Sequence, residues 1–171
     1  MESNSTEPTE HDKIISILKE KYDGEILHVD TPYNLLTVTL KQERIIEIIQ
    51  HLYDHAQVKF QYLTTLCAIH YPDLKQIAMM YQLRSLENNL EVRLKIYLPE
   101  ENPVTPTLTS IFAAANWMER ETYDFYGVNF QGHPSLRRIL NVDDMVIFPM
   151  RKEYPLEDQT REDKNNAMFG R

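Results

Sequence analysis

The chain has 171 residues, of which 42% are hydrophobic, and its formal net charge is −8 at pH 7. This length predicts one domain, and the hydrophobic fraction is sufficient for a core. The negative charge argues against a nucleic-acid-binding role, because phosphate binding requires a basic field.

The sequence contains one cysteine, Cys67. An internal disulfide is therefore excluded, and a Cys-ligated iron–sulfur cluster lacks the thiolates that it needs. We expect Cys67 to be a small core residue in a strand. No apolar run is long enough for a membrane-spanning helix. The first twelve residues contain four acidic residues and no Lys or Arg, unlike a signal or transit peptide. We therefore expect the protein to remain in the compartment where it is synthesised, most simply a bacterial cytoplasm. Docking on a membrane complex is compatible with this expectation.

The N-terminal region divides into two parts. Residues 1–9 are rich in Ser, Thr, Glu and Pro and are predicted to be disordered. Thr9 and Asp12 have the spacing of a capping box and predict the start of a helix, which ends near Gly24.

Hydrophobic periodicity predicts the other elements of a domain spanning residues 10–127. In chain order these are strands at 25–30 and 36–40, a helix at 42–56, strands at 58–69, 77–83 and 90–98, and a helix at 110–125 that Gly127 ends. The last two strands are predicted to form a hairpin. Strands in which apolar and polar residues alternate have one solvent-exposed face and one apolar face that helices must cover. The order α-β-β-α-β-β-β-α therefore predicts an α/β (α+β) two-layer sandwich with a mixed sheet.

Residues 128–171 show no sustained period and contain three prolines with seven basic and seven acidic side chains. The composition is that of protein–protein interfaces, because aromatic residues alternate with arginines. We therefore predict an extended, irregular, partner-binding tail, with disorder as the alternative. The aromatic and arginine residues are Phe130, Phe148, Tyr154 and Phe169, and Arg137, Arg138, Arg151, Arg161 and Arg171.

Glu121 and Asp124 are spaced three residues apart and are therefore predicted to face the same side of the last helix. Paired carboxylates can act as an acid/base dyad, but they can also anchor an arginine. We favour bidentate pairing with Arg137, Arg138 or Arg151, because no nucleophile or oxyanion donors accompany the pair.

Other candidate sites have weaker signals. His51 and His55 have the i, i+4 spacing of metal ligands, but a solvated helix face is the simpler interpretation. His133, between Gly132 and Pro134, has the character of a hydrogen-bonded turn residue. Trp117 is either an interface anchor or a residue packed on the sheet. No glycine-rich phosphate-binding motif occurs.

The run at 119–140 reads Glu-Arg-Glu-x-x-Asp…Gly-His-Pro-x-Leu-Arg-Arg-Ile-Leu. It closely resembles the signature of the 30-kilodalton subunit family of bacterial NADH–quinone oxidoreductase, respiratory complex I. Supporting matches are Trp117, His70-Tyr71-Pro72 and the segment 151–156, and the resemblance covers about residues 30–156.

The resemblance implies a two-layer α/β domain with an extended C-terminal segment, in the peripheral arm on the cytoplasmic side of the bacterial inner membrane. It implies packing on the large subunit of the 49-kilodalton type and on neighbouring iron–sulfur subunits. It implies that other subunits bind NADH, flavin, clusters and quinone, and that this chain has no catalytic residue, cofactor or metal. On this view the docking and signature residues are Trp117, Glu119, Arg120, Glu121, Asp124, Gly127, Gly132, His133, Pro134, Arg137, Arg138, Arg151 and Tyr154.

The sequence departs from the family pattern at residues 145–149, Met-Val-Ile-Phe-Pro, where many relatives have Trp-x-Gly-His-Pro. The local partner contact is therefore expected to differ. Three alternatives remain open. They are the equivalent subunit of a membrane-bound hydrogenase or formate hydrogenlyase, a stand-alone enzyme using Glu121, Asp124 and His133, and a free-standing adaptor whose tail folds on binding.

Overall fold

The computed structural model describes residues 9–154. Within this range it contains three α-helices, α1 (Glu10–Tyr22), α2 (Ile45–Asp54) and α3 (Ala115–Tyr126). Its strands are β1 (Ile26–Asp30), β2 (Thr37–Leu40), β3 (Tyr62–Tyr71), β4 (Gln76–Ser85), β5 (Leu90–Pro99), β6 (Val104–Pro106) and β7 (Asn129–Gln131).

The predicted capping box begins α1. Asp12 N–H donates to Thr9 Oγ1 over 3.2 Å, and Thr9 N–H donates to Asp12 Oδ2 over 3.0 Å. The helix buries Ile14, Leu18 and Tyr22 against the sheet and ends two residues before Gly24. Local chemistry therefore sets the start of α1, and its apolar stripe sets its orientation.

The main sheet has the strand order β1-β2-β5-β4-β3. β2 and β5 run parallel, whereas the other neighbours are antiparallel. The sheet is therefore mixed, as predicted. The hairpin between β4 and β5 is confirmed by pairing of Ser85 with Leu90.

One face of this sheet forms the core and is covered by α1 and α2, which confirms the two-layer sandwich. The strands contribute alternate residues, among them Met79, Leu83, Val92, Leu94 and Ile96, and all five are fully buried. The opposite face, which we call the open face, carries half-exposed side chains at most of the intervening positions. Cys67 lies in β3 as expected, but on the open face, so its assignment to the core was wrong.

The element boundaries differ from the sequence prediction in two places. α3 begins at Ala115 instead of residue 110, because residues 108–114 form turns that bury Leu108 and Phe112. β6 and β7 were missed. These three-residue strands pair in parallel as a second sheet and are too short to show a period.

Packing continues past Gly127, where the domain boundary was predicted. Val128 and Phe130 are buried in the main core, and β7 pairs with β6. Residues 132–154, which we call the C-terminal segment, contain only turns and irregular structure within the described range. Partner binding by residues 128–171 stays a prediction, and residues 1–8 and 155–171 lie outside the described residues. Across residues 9–154, no helix is both long and apolar enough to cross a membrane.

Candidate functional site

The C-terminal segment folds over the end of α3, where four backbone carbonyls lack helical partners. Each of the carbonyls of residues 123–126 accepts a hydrogen bond from downstream residues. In chain order the donors are Gly127 N–H, Arg138 Nη1, Met150 N–H and Arg151 Nε. Two of these donors are cationic, which also suits the negative end of the helix dipole.

Asp124 is the centre of this site, with a fully buried carboxylate on the last turn of α3. Its Oδ1 accepts from Arg138 Nη1 at 2.7 Å and from Asn141 Nδ2 at 3.0 Å. Its Oδ2 accepts backbone N–H groups of Ile139, Leu140 and Asn141 at 2.8–3.1 Å. One carboxylate therefore fixes the path of residues 138–141.

The pKa of Asp124 follows from this environment. Burial alone would raise it, but the N–H of Asn141, the guanidinium of Arg138 and the N–H of Leu140 all stabilise the charged form. Together they hold the pKa of Asp124 well below its ordinary value. Asp124 is therefore a structural anion and not a proton donor at neutral pH.

Arg138 extends the organisation further along the chain. Its Nη2 donates to the carbonyls of Met145 and Ile147, at 2.5 and 3.0 Å. Its side chain is only 7% exposed. These two residues fall in the stretch that departs from the family pattern. Because Arg138 binds their backbone oxygens, the contact does not depend on which side chains stand there.

The guanidinium groups of Arg138 and Arg151 each lie 5.2 Å from the centroid of the Phe148 ring. The same ring packs directly on Gly127, where an added Cβ would lie 2.5 Å from the Phe148 ring. Gly127 also has a φ of +74° as the helix C-cap. Its lack of a side chain is therefore required twice, by conformation and by contact.

Arg120, also on α3, binds the backbone just before and at the beginning of residues 138–141. It donates from Nε to the carbonyl of Arg137 and from Nη2 to that of Arg138, at 3.1 and 2.9 Å. Its guanidinium also stacks on Trp117, whose side chain remains 61% exposed. Arg120 is thus buried between α3 and the segment, whereas Trp117 faces outward.

His133 fastens the beginning of the C-terminal segment to the first turn of α3. Its Nδ1 accepts from Ser135 N–H at 3.0 Å, so its Nε2 carries the proton and donates to the carbonyl of Asn116 at 3.1 Å. Gly132, with a φ of +83°, makes the preceding turn, and Pro134 is exposed. Both ring nitrogens of His133 are therefore engaged in structure.

Glu119 lies on the other side of α3, fully buried against the sandwich. It accepts from Thr107 Oγ1 at 2.5 Å and from Leu108 N–H at 2.6 Å, fixing the turn before the helix. Burial raises the pKa of Glu119 to about 7, although these hydrogen bonds partly oppose the shift. The buried hydroxyls of Tyr81 and Thr105 extend the polar cluster.

The end of the C-terminal segment is held by His70, at the end of β3. Lys152 N–H donates to His70 Nδ1 over 2.9 Å, and Tyr154 closes a turn onto the carbonyl of Arg151. The Nε2 atom of His70 lies 3.1 Å from Glu100 Oε1 but outside hydrogen-bond geometry, so it has no acceptor within residues 9–154.

The predicted arginine–carboxylate pairing is found between Asp124 and Arg138, although through one carboxylate oxygen and not two. The predicted placement of Glu121 and Asp124 on one side of α3 is wrong, because Glu121 is exposed and Asp124 is fully buried. Arg137 is exposed, and Arg151 binds a carbonyl.

The histidine pair of α2 gives no metal site in the part of the chain that the structure describes. His51 and His55 stack edge to face, with ring centroids 5.3 Å apart. No cluster of three potential metal ligands occurs in residues 9–154.

Sequence reasoning missed Thr107 and Asn141 as partners of the two buried carboxylates. Neither residue has a signal of its own, because each is defined by a contact across 12 or more residues of chain. Phe148 was named from the alternation of aromatic residues with arginines, but its contact with Gly127 was not predicted.

The outer side of this site carries several large exposed apolar side chains. The exposed side chains, with exposed fractions from 42% to 91%, are Trp117, Leu140, Val142, Val146 and Met150. We call these five residues the apolar surface. Four of them lie on the C-terminal segment, and Trp117 lies on α3. Several large exposed apolar residues near one another are typical of interaction sites.

Residues 38–160 match the family described as "Respiratory-chain NADH dehydrogenase, 30 Kd subunit". The chain belongs to this family. The resemblance stated from the signature residues is thereby confirmed.

Curated relatives agree with this assignment. The chain is 37% identical over 139 residues to a NADH-quinone oxidoreductase subunit of the C type from Mycolicibacterium gilvum, covering 80% of this chain and 60% of that protein. It is 36% identical to a subunit of the same type from Rhizobium meliloti, covering 79% of this chain and 74% of that protein. The chain thus spans between three fifths and three quarters of the length of these relatives.

Solved structures share the fold. Nqo5, solved as a trypsin-resistant fragment, aligns with a TM-score of 0.61 and 29% identity, covering 72% of this chain and 99% of that fragment. A chain of an archaeal membrane-bound sulfane sulfur reductase aligns with a TM-score of 0.72 over 85% of each chain. At 21% identity, the second match shows the fold alone.

In this 30 Kd family member, replacing Asp124 by Asn should lower the free energy of unfolding by about 3–5 kcal/mol, because a buried ion pair loses one partner. Chemical denaturation of the full chain measures this, with exposed Asp144→Asn as a control within about 0.5 kcal/mol of wild type. The low pKa of Asp124 also fixes the direction in which stability changes with pH. The contribution of the Asp124 charge is present above the ordinary pKa of 3.8 and is lost as the pH falls below it. Equal acid sensitivity of wild type and variant would contradict this role.

Glu119→Gln should change the pH dependence of stability in the opposite sense. The raised pKa means that a proton bound to Glu119 stabilises the folded state below pH 4.5, and that this contribution is lost as the pH rises through about 7. The difference in unfolding free energy across this window should shrink by about 3 kcal/mol in Glu119→Gln. The matched control is Glu121→Gln on the exposed side of α3, which should keep the wild-type slope.

Gly127→Ala should destabilise the protein by more than the cost of a left-handed alanine, about 1–2 kcal/mol, because the new methyl group meets the Phe148 ring. In a double-mutant cycle, Phe148→Ala should relieve the additional cost. Gly24→Ala, with open space at the corresponding position, should be nearly neutral. Additive effects of Gly127→Ala and Phe148→Ala would show that the contact carries no energy.

Proposed function

We propose that this chain is a structural subunit of a membrane-bound NADH–quinone oxidoreductase, which transfers electrons from NADH to quinone and couples this to ion translocation. The observation that carries the proposal is the apolar surface beside a polar network that is satisfied within the chain. Asp124, Arg120 and His133 all use their polar atoms on this chain's own backbone or side chains. The polar groups of this network are thus satisfied without a neighbour, and the apolar surface beside it remains exposed.

In this proposal the subunit lies in the peripheral arm on the cytoplasmic side of the bacterial inner membrane. Its neighbours are the large subunit of the 49-kilodalton type and iron–sulfur subunits, and the flavin, clusters and quinone are bound by subunits other than this one. This chain itself is proposed to be non-catalytic and to bind no cofactor. The single cysteine of the sequence supports this assignment, because a cluster requires several thiolates.

The geometry does not favour the stand-alone enzyme. A dyad needs two carboxylates that share a site, but Asp124 is buried under the C-terminal segment and Glu121 is exposed. His133 donates and accepts hydrogen bonds through its two ring nitrogens, so neither is free to act as a base.

Substitutions on the apolar surface test assembly more cleanly than deletion of residues 128–171. Such a deletion would remove Val128 and Phe130 from the core and expose the end of α3. Leu140→Glu/Val146→Glu changes two exposed side chains and should leave the isolated chain as stable as wild type. In the assembled complex the same charges would be desolvated without a partner, so incorporation should fall by about tenfold or more.

The measurement is the yield of flavin and iron–sulfur subunits that co-purify with the tagged chain in mild detergent, together with NADH-dependent quinone reduction. The matched control is Leu27→Glu/Leu86→Glu, which changes two similarly exposed leucines, one on the far edge strand β1 and one in the β4–β5 turn. Unchanged co-purification with Leu140→Glu/Val146→Glu would remove the assembly role of the apolar surface. Recovery of a nickel-bearing partner, or of unrelated partners, would instead identify a hydrogenase subunit or an adaptor.

A further inference from the structure

The open face of the main sheet contains a second surface that the role of the C-terminal segment does not use. One row across the strands consists of Thr39, Lys95, Met80 and Cys67. The next row contains Arg93 and Gln82. The side chains named in these rows are half-exposed, whereas the other face of the same strands is buried.

Lys95 is held in a fixed position on this face. Its Nζ lies 5.2 and 4.8 Å from the ring centroids of Tyr71 and Tyr97, and 3.5 Å from the Tyr71 hydroxyl. The two rings are themselves 6.2 Å apart. A lysine confined in this way loses less conformational entropy when it binds an anion.

The two central cations have no carboxylate partner within 4 Å among residues 9–154. Within this range Arg93 donates a hydrogen bond to the amide oxygen of Gln82, at 3.4 Å, and Lys95 contacts tyrosines. On the same face, the ion pair of Arg84 with Glu91 lies towards the β4–β5 turn. A chain with a net charge of −8 thus presents a small basic centre framed by tyrosines.

Helix α3 borders this face along the edge strand β3. The exposed carboxylate of Glu121 acts on the Cys67 thiol, whose pKa is raised by burial and by Glu121 but lowered by Arg93. Glu121 nevertheless forms no ion pair with Arg93 or Lys95 within the described residues. The basic centre therefore lies beside α3 and is not neutralised by it.

We propose that the open face, centred on Arg93 and Lys95, binds an acidic segment of a neighbouring protein subunit. This inference rests on the proposed function, because it assumes that the chain is part of an assembly. Carboxylates complement the two cations, which lack a carboxylate partner among residues 9–154, and the segment's apolar atoms can pack on Tyr71 and Tyr97.

A protein partner is favoured over a nucleic acid or an anionic membrane. Both of those ligands are extended polyanions, which the overall charge of −8 repels and which require wider basic surfaces. Two cations with aromatic neighbours match a short run of Asp and Glu side chains. The contact would be separate from the apolar surface, because it lies on the central strands and not on α3 or the C-terminal segment.

Cys67 provides a direct probe, since it is the single cysteine of the sequence and lies in the same row as Lys95. Its rate of alkylation by iodoacetamide would be measured at alkaline pH by mass spectrometry, in the isolated full chain and in the detergent-purified complex. We expect a decrease of about tenfold or more in the complex, because reaction then requires the partner to leave. Thr39→Cys in a Cys67→Ser chain repeats the measurement at the β2 end of the row.

Charge variants identify the chemistry of the contact. Arg93→Gln/Lys95→Gln should lose most of the protection while the chain still co-purifies, and Lys13→Gln/Lys19→Gln on the exposed side of α1 should retain it. Each variant is compared with its own isolated chain, so that any change in thiol pKa cancels. Full protection in Arg93→Gln/Lys95→Gln would overturn the proposal, because the cations would then play no part.

Other outcomes are equally decisive. Equal alkylation of Cys67 in the isolated chain and in a complex that co-purifies overturns this inference but leaves the proposed function intact. Failure of the chain to co-purify with the complex overturns both. No reaction in the isolated chain overturns the inference as well, because its own residues would then cover the face. Protection by phosphatidylglycerol vesicles without protection in the complex would identify a membrane surface instead.

Discussion

The buried carboxylate of Asp124 is the constraint on which the C-terminal half of the structure depends. An ionised carboxylate away from water is strongly unfavourable unless its lone pairs have donors. Asp124 meets this requirement with one hydrogen bond from Arg138 and four from residues 139–141. A segment without helix or strand therefore has a defined path, because any other path would leave the charge unsatisfied.

The arginine that pairs with Asp124 carries this order onward. Arg138 binds Asp124, the carbonyl of that same residue, and two carbonyls further along the segment. Arg120 and Arg151 do the same for other carbonyls. Guanidinium groups suit this task, since they present several donors in a fixed plane and remain charged. Arginines here replace the backbone ladder that a helix or a sheet would provide.

The sandwich was largely predictable from the sequence, because its three longest strands have ten residues each and alternate regularly, and its first two helices have clear apolar stripes. The site was predictable only in part. The spacing of Glu121 and Asp124 suggested a shared side of α3, but burial follows the stripe of Arg120 and Asp124, four residues apart. Which stripe is buried depends on where a distant, aperiodic segment lies, and local sequence does not encode that. The contacts of Thr107 and Phe148 could not be predicted for the same reason.

The division between inward and outward residues of the signature explains how such a chain can expose an apolar surface and still keep a defined structure. Because the polar groups of α3 are satisfied internally, the C-terminal segment needs no partner to hold its backbone in place. Leu140, Val142 and Val146 are then presented at fixed positions, which reduces the entropy lost on binding. The same reasoning applies to Lys95, which two tyrosines hold in place before any anion arrives. In the two proposed binding roles, preorganisation by internal contacts would take the place of folding on binding in the described part of this chain.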